Sequence, residues 1–136
     1  MVQAGEYTQA IQILERAVRL YPNDARSHYN LGNAYDSPSG SEHQAIDEFR
    51  TTITLDDRFW PAYNNLARLQ IETEKPDAAL ETLRAGLRLE SEIPALEIAV
   101  FQKNMGWAFL GQVGRQECPF STIVTVPATQ QATRSE

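Results

Sequence analysis

The chain is predicted to be all-α, an array of stacked helical hairpins, and three observations carry that reading. Ala10-x-x-x-Leu14, Ala45-x-x-x-Phe49 and Ala79-x-x-x-Leu83 recur along the chain at a near-constant spacing. Leu31-Gly32-x-x-Tyr35 and Leu66-Ala67-x-x-Gln70 fall between them, again one such period apart. Apolar residues step by three or four through the stretches that carry these motifs, the period of one helix face. A repeat of roughly 34 residues with small residues at fixed places means that each unit is a helix pair that buries its apolar face only against its neighbours. Such an array offers a groove and no enclosed pocket, so binding is expected before catalysis.

Taken in order, Tyr7, Ile11, Leu14, Ala17, Val18 and Tyr21 form one face of a first helix, which Pro22-Asn23-Asp24 stops. Ser27 to Tyr35 reads as a second helix, broken by Ser37-Pro38-Ser39-Gly40-Ser41. The third spans Glu42 to Leu55 with Ile46, Phe49 and Ile53 inward. Trp60-Pro61 opens a fourth that ends near Glu74. Pro76 suits the first turn of a fifth, where a missing N–H costs nothing, and Asp77 complements that helix's positive end. The fifth carries Ala79, Leu83, Leu87 and Leu89. Pro94 opens a sixth, reaching about Gly111.

Composition narrows the function. The 136 residues carry a net charge of −6 and no Lys/Arg cluster, which argues against nucleic acid as a partner. No apolar run approaches a membrane span, so no membrane partner is expected. Met1 to Gly5 leads into polar residues without a basic start and an apolar run, so no signal peptide is expected. Cys118 is the single cysteine, which excludes an intrachain disulfide and suits a reducing, cytoplasmic setting.

The helices alternate in type. The second, fourth and sixth (A type) carry His28-x-x-Leu31-Gly32, Tyr63-x-x-Leu66-Ala67 and Gln102-x-x-Met105-Gly106; the first, third and fifth (B type) carry Ala-x-x-x-large. Small residues let helices approach closely and large ones fill the gaps. The alternation, and "HYNLGNAY" in particular, resembles the tetratricopeptide repeat family over roughly Ala4 to Gly111. The resemblance implies a right-handed α-α superhelix of about three repeats. Residues 1–113 would hold the B helix of a truncated first repeat, two full repeats and the A helix of a fourth. Residues 114–136 would form an irregular C-terminal tail, disordered or laid on the last helix. The chain departs from the family pattern at several places. One extra residue lies between Tyr35 and Ala45, and Asp57 and Ser91 stand where proline is usual. The step from Leu66 to Met105 is longer than one repeat, so the last A helix should start early. The pattern stops at both ends, as in a fragment of a longer array.

Nothing in the sequence supports catalysis, a metal or a cofactor. His28 and His43 lack ligand spacing, and His28 stands at a packing position. Cys118 has no Lys or His nearby to activate it, and Gly111-x-x-Gly114 lacks the strand and helix of a phosphate loop. Asparagine gives the sharper signal: Asn30, Asn65 and Asn104 occupy the same place in the three A helices. The resemblance implies that this place faces the concave groove, where a carboxamide can both donate to and accept from a peptide main chain. Arg26, Asn33, Arg68 and Trp107 lie one turn away, with Tyr29, Asn64 and Lys103 flanking. The expected groove is therefore Asn30, Asn33, Asn65, Arg68, Asn104, Arg26 and Lys103. A bland alternative is that these amides are merely solvated. Members of the family that clamp a C-terminal carboxylate use Asn with Lys/Arg on successive A helices. Here Asn33 and Asn65 match the Asn elements, but Val100 and Asn104 replace the last basic pair and Lys103 falls on another stripe.

The expected role is a non-catalytic scaffold or adaptor taking an extended peptide or helix of a protein partner. The alternative is a structural piece of a longer array, acting in self-association or as an accessory module. Some apolar residues are left without a neighbour at the ends: Ile11, Leu14 and Val18 in the first helix, and Phe101, Phe109 and Leu110 in the sixth. Such faces point to a homo-oligomer. Phe120, Ile123 and Val126 of the tail are the competing cover for the sixth helix.

Overall fold

The computed structural model describes residues 4–38 and 40–117. Six helices follow one another: α1 (Ala4–Leu20), α2 (Ala25–Tyr35), α3 (Glu42–Leu55), α4 (Trp60–Glu72), α5 (Pro76–Leu87) and α6 (Ala95–Glu117). A 3-10 turn at Glu90–Glu92 joins the last two, and no strand occurs among the described residues. Each helix packs on the next, and α4 also packs on α6. The expected all-α solenoid is therefore the observed one, with α2, α4 and α6 as A helices and α1, α3 and α5 as B helices.

Local chemistry sets the helix ends. The Asp24 carboxylate accepts the Ser27 N–H at 3.0 Å and caps α2; Ser41 Oγ accepts from Gln44 N at 3.4 Å and caps α3. Pro61 and Pro76 sit in the first turns of α4 and α5. Glu74, with φ of 61°, ends α4: its N–H donates to Ile71 O and that of Lys75 to Gln70 O, so the last carbonyls of the helix are satisfied. Gly40 is required in the α2–α3 loop, because a Cβ there would lie 2.1 Å from the Tyr35 carbonyl oxygen.

Two apolar clusters run in series. Leu31, Tyr35, Ala45, Ile46, Phe49 and Leu66 join α2, α3 and α4, with Ile11, Leu14 and Val18 of α1 packed against them. Tyr63, Ala67, Ala79, Leu83 and Phe101 join α4, α5 and α6. The α2–α3 crossing is tight at Gly32, where an added Cβ would meet the Phe49 ring at 2.7 Å, and that ring is fully buried. His28 is buried at the same crossing, with Nδ1 2.7 Å from Glu48 Oε1 and Nε2 2.8 Å from Pro22 O. Both ring nitrogens are thus spent inside the fold.

The sixth helix differs from expectation at its far end. Ala99 is the counterpart of Trp60, the first residue of α4, yet α6 begins about a turn earlier, at Ala95. Part of the extra repeat length enters this early start, and the 3-10 turn takes up more. The helix then continues past Gly111 and through Gly114 to Glu117, so the expected boundary at 113/114 is not a helix end. Glycine weakens a helix by about 1 kcal/mol without forbidding it, and Gln112 Nε2 ties this stretch to Asp77 Oδ1 at 2.7 Å. The expected tail, with Cys118, Phe120, Ile123 and Val126, lies outside the described residues.

The packing generates two predictions. Gly32→Ala should destabilise the protein by about 1–3 kcal/mol in urea unfolding, since Phe49 has nowhere to move. Among the described residues nothing lies within 4 Å of a Cβ added at the counterpart Gly106, so Gly106→Ala should be neutral or stabilising by up to about 1 kcal/mol through helix propensity. Equal effects at both sites would mean that the assigned faces are wrong. The second concerns Tyr35, whose buried hydroxyl donates to Glu15 Oε1 at 2.6 Å. Burial, aided by Glu15, pushes this phenol up to about 12 from an ordinary 10. A raised folded-state value means that its contribution is intact below about pH 10 and is lost as pH climbs from about 10 to 12. Unfolding free energy should fall across that window, and fall less in Tyr35→Phe; identical pH profiles would contradict the assignment.

Candidate functional site

Side-chain amides link the A helices to one another. Asn65 Nδ2 on α4 donates to Asn33 Oδ1 at 3.0 Å and to Tyr29 OH at 3.2 Å, both on α2. One repeat on, Asn104 Nδ2 of α6 donates to Asn64 Oδ1 of α4 at 2.7 Å. Asn64 is the counterpart of Tyr29 one repeat later, so the same link recurs: each asparagine reaches back to the preceding A helix. Asn65 is half-buried and Asn104 only 6% exposed. Of the three, Asn30 alone is exposed.

The surface therefore does not present three equivalent free amides. Both N–H groups of Asn65 are used, leaving its carbonyl oxygen, and Asn104 is enclosed. The physical reason is spacing: an amide on one A helix is within reach of the helix before it, and a carboxamide pair satisfies its own donors and acceptors when half-buried.

Arg68 is similarly engaged. It pairs with Asp36 at the end of α2 and, through Nη1 at 3.1 Å, with both carboxylate oxygens of Glu72. Burial works against its charge, but the two carboxylates outweigh burial and raise its pKa above the usual value. Arg26 stacks over Phe59, 5.4 Å from the ring centre, at the other end of α2. Phe59 in turn packs on Tyr29 at 4.9 Å.

What remains open is a cleft of about 260 Å³ between α4 and α6, lined by Arg68, Ile71, Glu72, Lys103, Asn104 and Trp107. Of the expected groove residues, Arg68, Lys103 and Asn104 line it, whereas Asn30, Asn33, Asn65 and Arg26 do not. Asp36, Ile71 and Glu72 are additions that the sequence reading lacks. Arg68 and Glu72 stand one turn apart on a helix, which is a readable signal. Asp36 lies nearly a whole repeat before Arg68, so that pair is readable only with the repeat register in hand.

Among the described residues no group of three or more His, Cys, Asp or Glu could hold a metal ion, and no helix is long and apolar enough to cross a membrane. An all-helical repeat solenoid is a class of protein-interaction module. Family models for "TPR repeat" and "Tetratricopeptide repeat" match residues 1–36 and 61–93, and the chain belongs to the tetratricopeptide repeat family. It is 28% identical over 90 residues to the Hsp70-Hsp90 organizing protein of Triticum aestivum, covering 66% of this chain and 15% of that protein. It is 28% identical over 88 residues to the small glutamine-rich tetratricopeptide repeat-containing protein 2 of Saccharomyces cerevisiae, covering 65% and 23%. This chain thus spans less than a quarter of the length of either relative. The TPR2B domain of yeast Sti1, solved in complex with pHsp70, superposes with a TM-score of 0.71 at 24% identity, over 78% of this chain and 85% of that one.

The asparagine links make a prediction about stability. Asn65→Ala and Asn104→Ala should each lower unfolding free energy by about 0.5–1.5 kcal/mol, the net worth of a hydrogen bond. Asn30→Ala should leave it unchanged. A chemical-denaturation series in which all three behave alike would show that the inter-helix bonds contribute nothing.

Proposed function

We propose that the protein is a non-catalytic binding module that takes an extended segment of a partner protein along its concave side, seated in the α4–α6 cleft. The observation that carries this is the composition of the cleft. Trp107 is 58% exposed, and it lines the cleft together with Ile71, Lys103 and Asn104. An exposed tryptophan beside polar groups is the usual make-up of a binding hot spot. The asparagine and arginine links hold the walls in place beforehand, which lowers the ordering cost of binding.

The same geometry argues against a carboxylate clamp. Arg68 already faces two carboxylates, so an acidic tail would compete with Asp36 and Glu72 for it, and Lys103 is the one other cation lining the cleft. Apolar anchoring on Trp107 with main-chain contacts fits better. The relatives' names connect them with Hsp70 and Hsp90, which makes those proteins reasonable first probes. A second reading, an accessory segment of a longer repeat protein, is favoured by the small share of each relative that this chain spans.

The test is an array of immobilised extended peptides, with full-length Hsp70 and Hsp90 alongside, probed with wild type, Trp107→Ala and Lys103→Ala. Ligands of the wild type should weaken at least about tenfold in Trp107→Ala, roughly 1.4 kcal/mol, with unchanged circular dichroism. Ligands that bind the tryptophan variant as well as the wild type would place recognition elsewhere.

A further inference from the structure

Helices α3 and α5 each pack on α4, and the three helices enclose a cleft of about 410 Å³. Its floor is Tyr63 and Leu66, which leave α4 about half a turn out of phase with Arg68 and Glu72 of the α4–α6 cleft. Ile53 of α3 and Ala85 of α5, both half-buried, form the walls, and Arg50 and Glu81 stand exposed on the two rims. From this cleft we infer a second interaction site, independent of the one proposed above. It takes an amphipathic helix of a partner protein, with an acidic residue on the flank facing Arg50 and a basic residue on the flank facing Glu81.

One repeat earlier, the polar groups at the same places are spent on one another. His28, the counterpart of Tyr63, meets Glu48, the counterpart of Thr82, at 2.7 Å. Glu15, the counterpart of Arg50, accepts from Tyr35 at 2.6 Å. In the later repeat Gln70 stands in place of that tyrosine and accepts from Thr82 at 2.7 Å, so Arg50 is left over. Neither Arg50 nor Glu81 makes a hydrogen bond or ion pair among the described residues. The remaining chemistry selects a helix. The Thr54 hydroxyl donates to Arg50 O at 2.9 Å and that of Tyr63 to Asp57 O at 2.9 Å, and the walls are helices whose backbone groups are already paired. An extended segment would bring N–H and C=O groups that this cleft cannot pair. A helix satisfies its own backbone and presents an apolar stripe at i, i+4 and i+7. The charges on the rims then set its flanks. Residues 118–136 do not match that description, since they hold Pro119 and Pro127 and carry no charge before Arg134.

The experiment screens the 136-residue protein against a displayed peptide library in two halves. One half has an alanine-rich helical frame randomised at stripe and flank positions; the other has the same frame interrupted by proline. Binders should come from the helical half and carry an acid on one flank and a base on the other. Their affinity, read by fluorescence anisotropy, should fall at least about threefold in Arg50→Glu and in Glu81→Lys, the scale of reversing a charge at a rim. The Arg50→Glu/Glu81→Lys protein should prefer peptides with the two flanks exchanged. Both residues are exposed, so circular dichroism should not change. Trp107→Ala should bind these peptides as wild type does, which separates this site from the α4–α6 cleft. A helical half that yields no binders, binders from the proline half alone, or helical binders indifferent to both charge reversals would overturn the inference. So would binding that appears only after residues 118–136 are deleted, because that segment would then be the occupant.

Discussion

Everything in this molecule depends on how closely an A helix and its B helix can cross. The crossing admits one large side chain if the facing residue is glycine or alanine, and Phe49 over Gly32 fills it without residual space. That contact fixes the tilt of α3 on α2. The tilt in turn decides where α4 lands, and so the spacing of the A helices along the concave side. The same requirement explains why α5 carries Gly86: a Cβ there would meet both Phe101 and Tyr63, and α5 must approach two A helices at once. Packing of this kind is quasi-one-dimensional, each unit resting only on its neighbours. Among the described residues the buried apolar side chains form two clusters in series, with no central core that could compensate for a lost crossing.

Polar groups on the A helices serve the same geometry. The Asn65 amide joins α4 to α2, Asn104 joins α6 to α4, and Arg68 spans from Asp36 to Glu72. The asparagine links and the Arg68–Asp36 pair cross between A helices that otherwise touch little, whereas Arg68–Glu72 lies within α4; at the buried Asn104 an unmade donor would be costly.

How much of this is legible in the sequence depends on the range of the interaction. The helices, their order and the lengthened step into α6 follow from period and small-residue placement, and the burial pattern of Phe101, Asn104 and Ala108 agrees with that register. Gly32 is readable because a small residue within an apolar stripe has few other uses. The asparagines fall on the expected helices but have neighbours other than the expected ones. A sequence shows that residues share a face; it does not show whether an amide points to solvent or to the next helix, about 8–10 Å away at typical packing distances. The Arg68–Asp36 pair is hidden for the same reason. The end of α6 escapes because glycine reads as a stop, whereas Gly111 and Gly114 lie on a helix whose buried face is already specified upstream.

The character of α1 and α6 is the last consequence of the repeat. A helix at the edge of a soluble domain ordinarily has one apolar stripe and a polar back. Helix α6 instead carries Leu96, Trp107, Phe109, Leu110 and Val113 exposed, in addition to the residues it buries, and α1 adds Ile13 and Leu20 to its packed face. Between these helices, Leu55 is the one large apolar residue of α2 to α5 that stands exposed, and only at 37%. Among the described residues, exposed large apolar side chains are therefore concentrated in α1 and α6. The mean exposure of the chain conceals this, and it becomes visible only when α1 is compared with α3 and α6 with α4, residue by residue, at the repeat spacing.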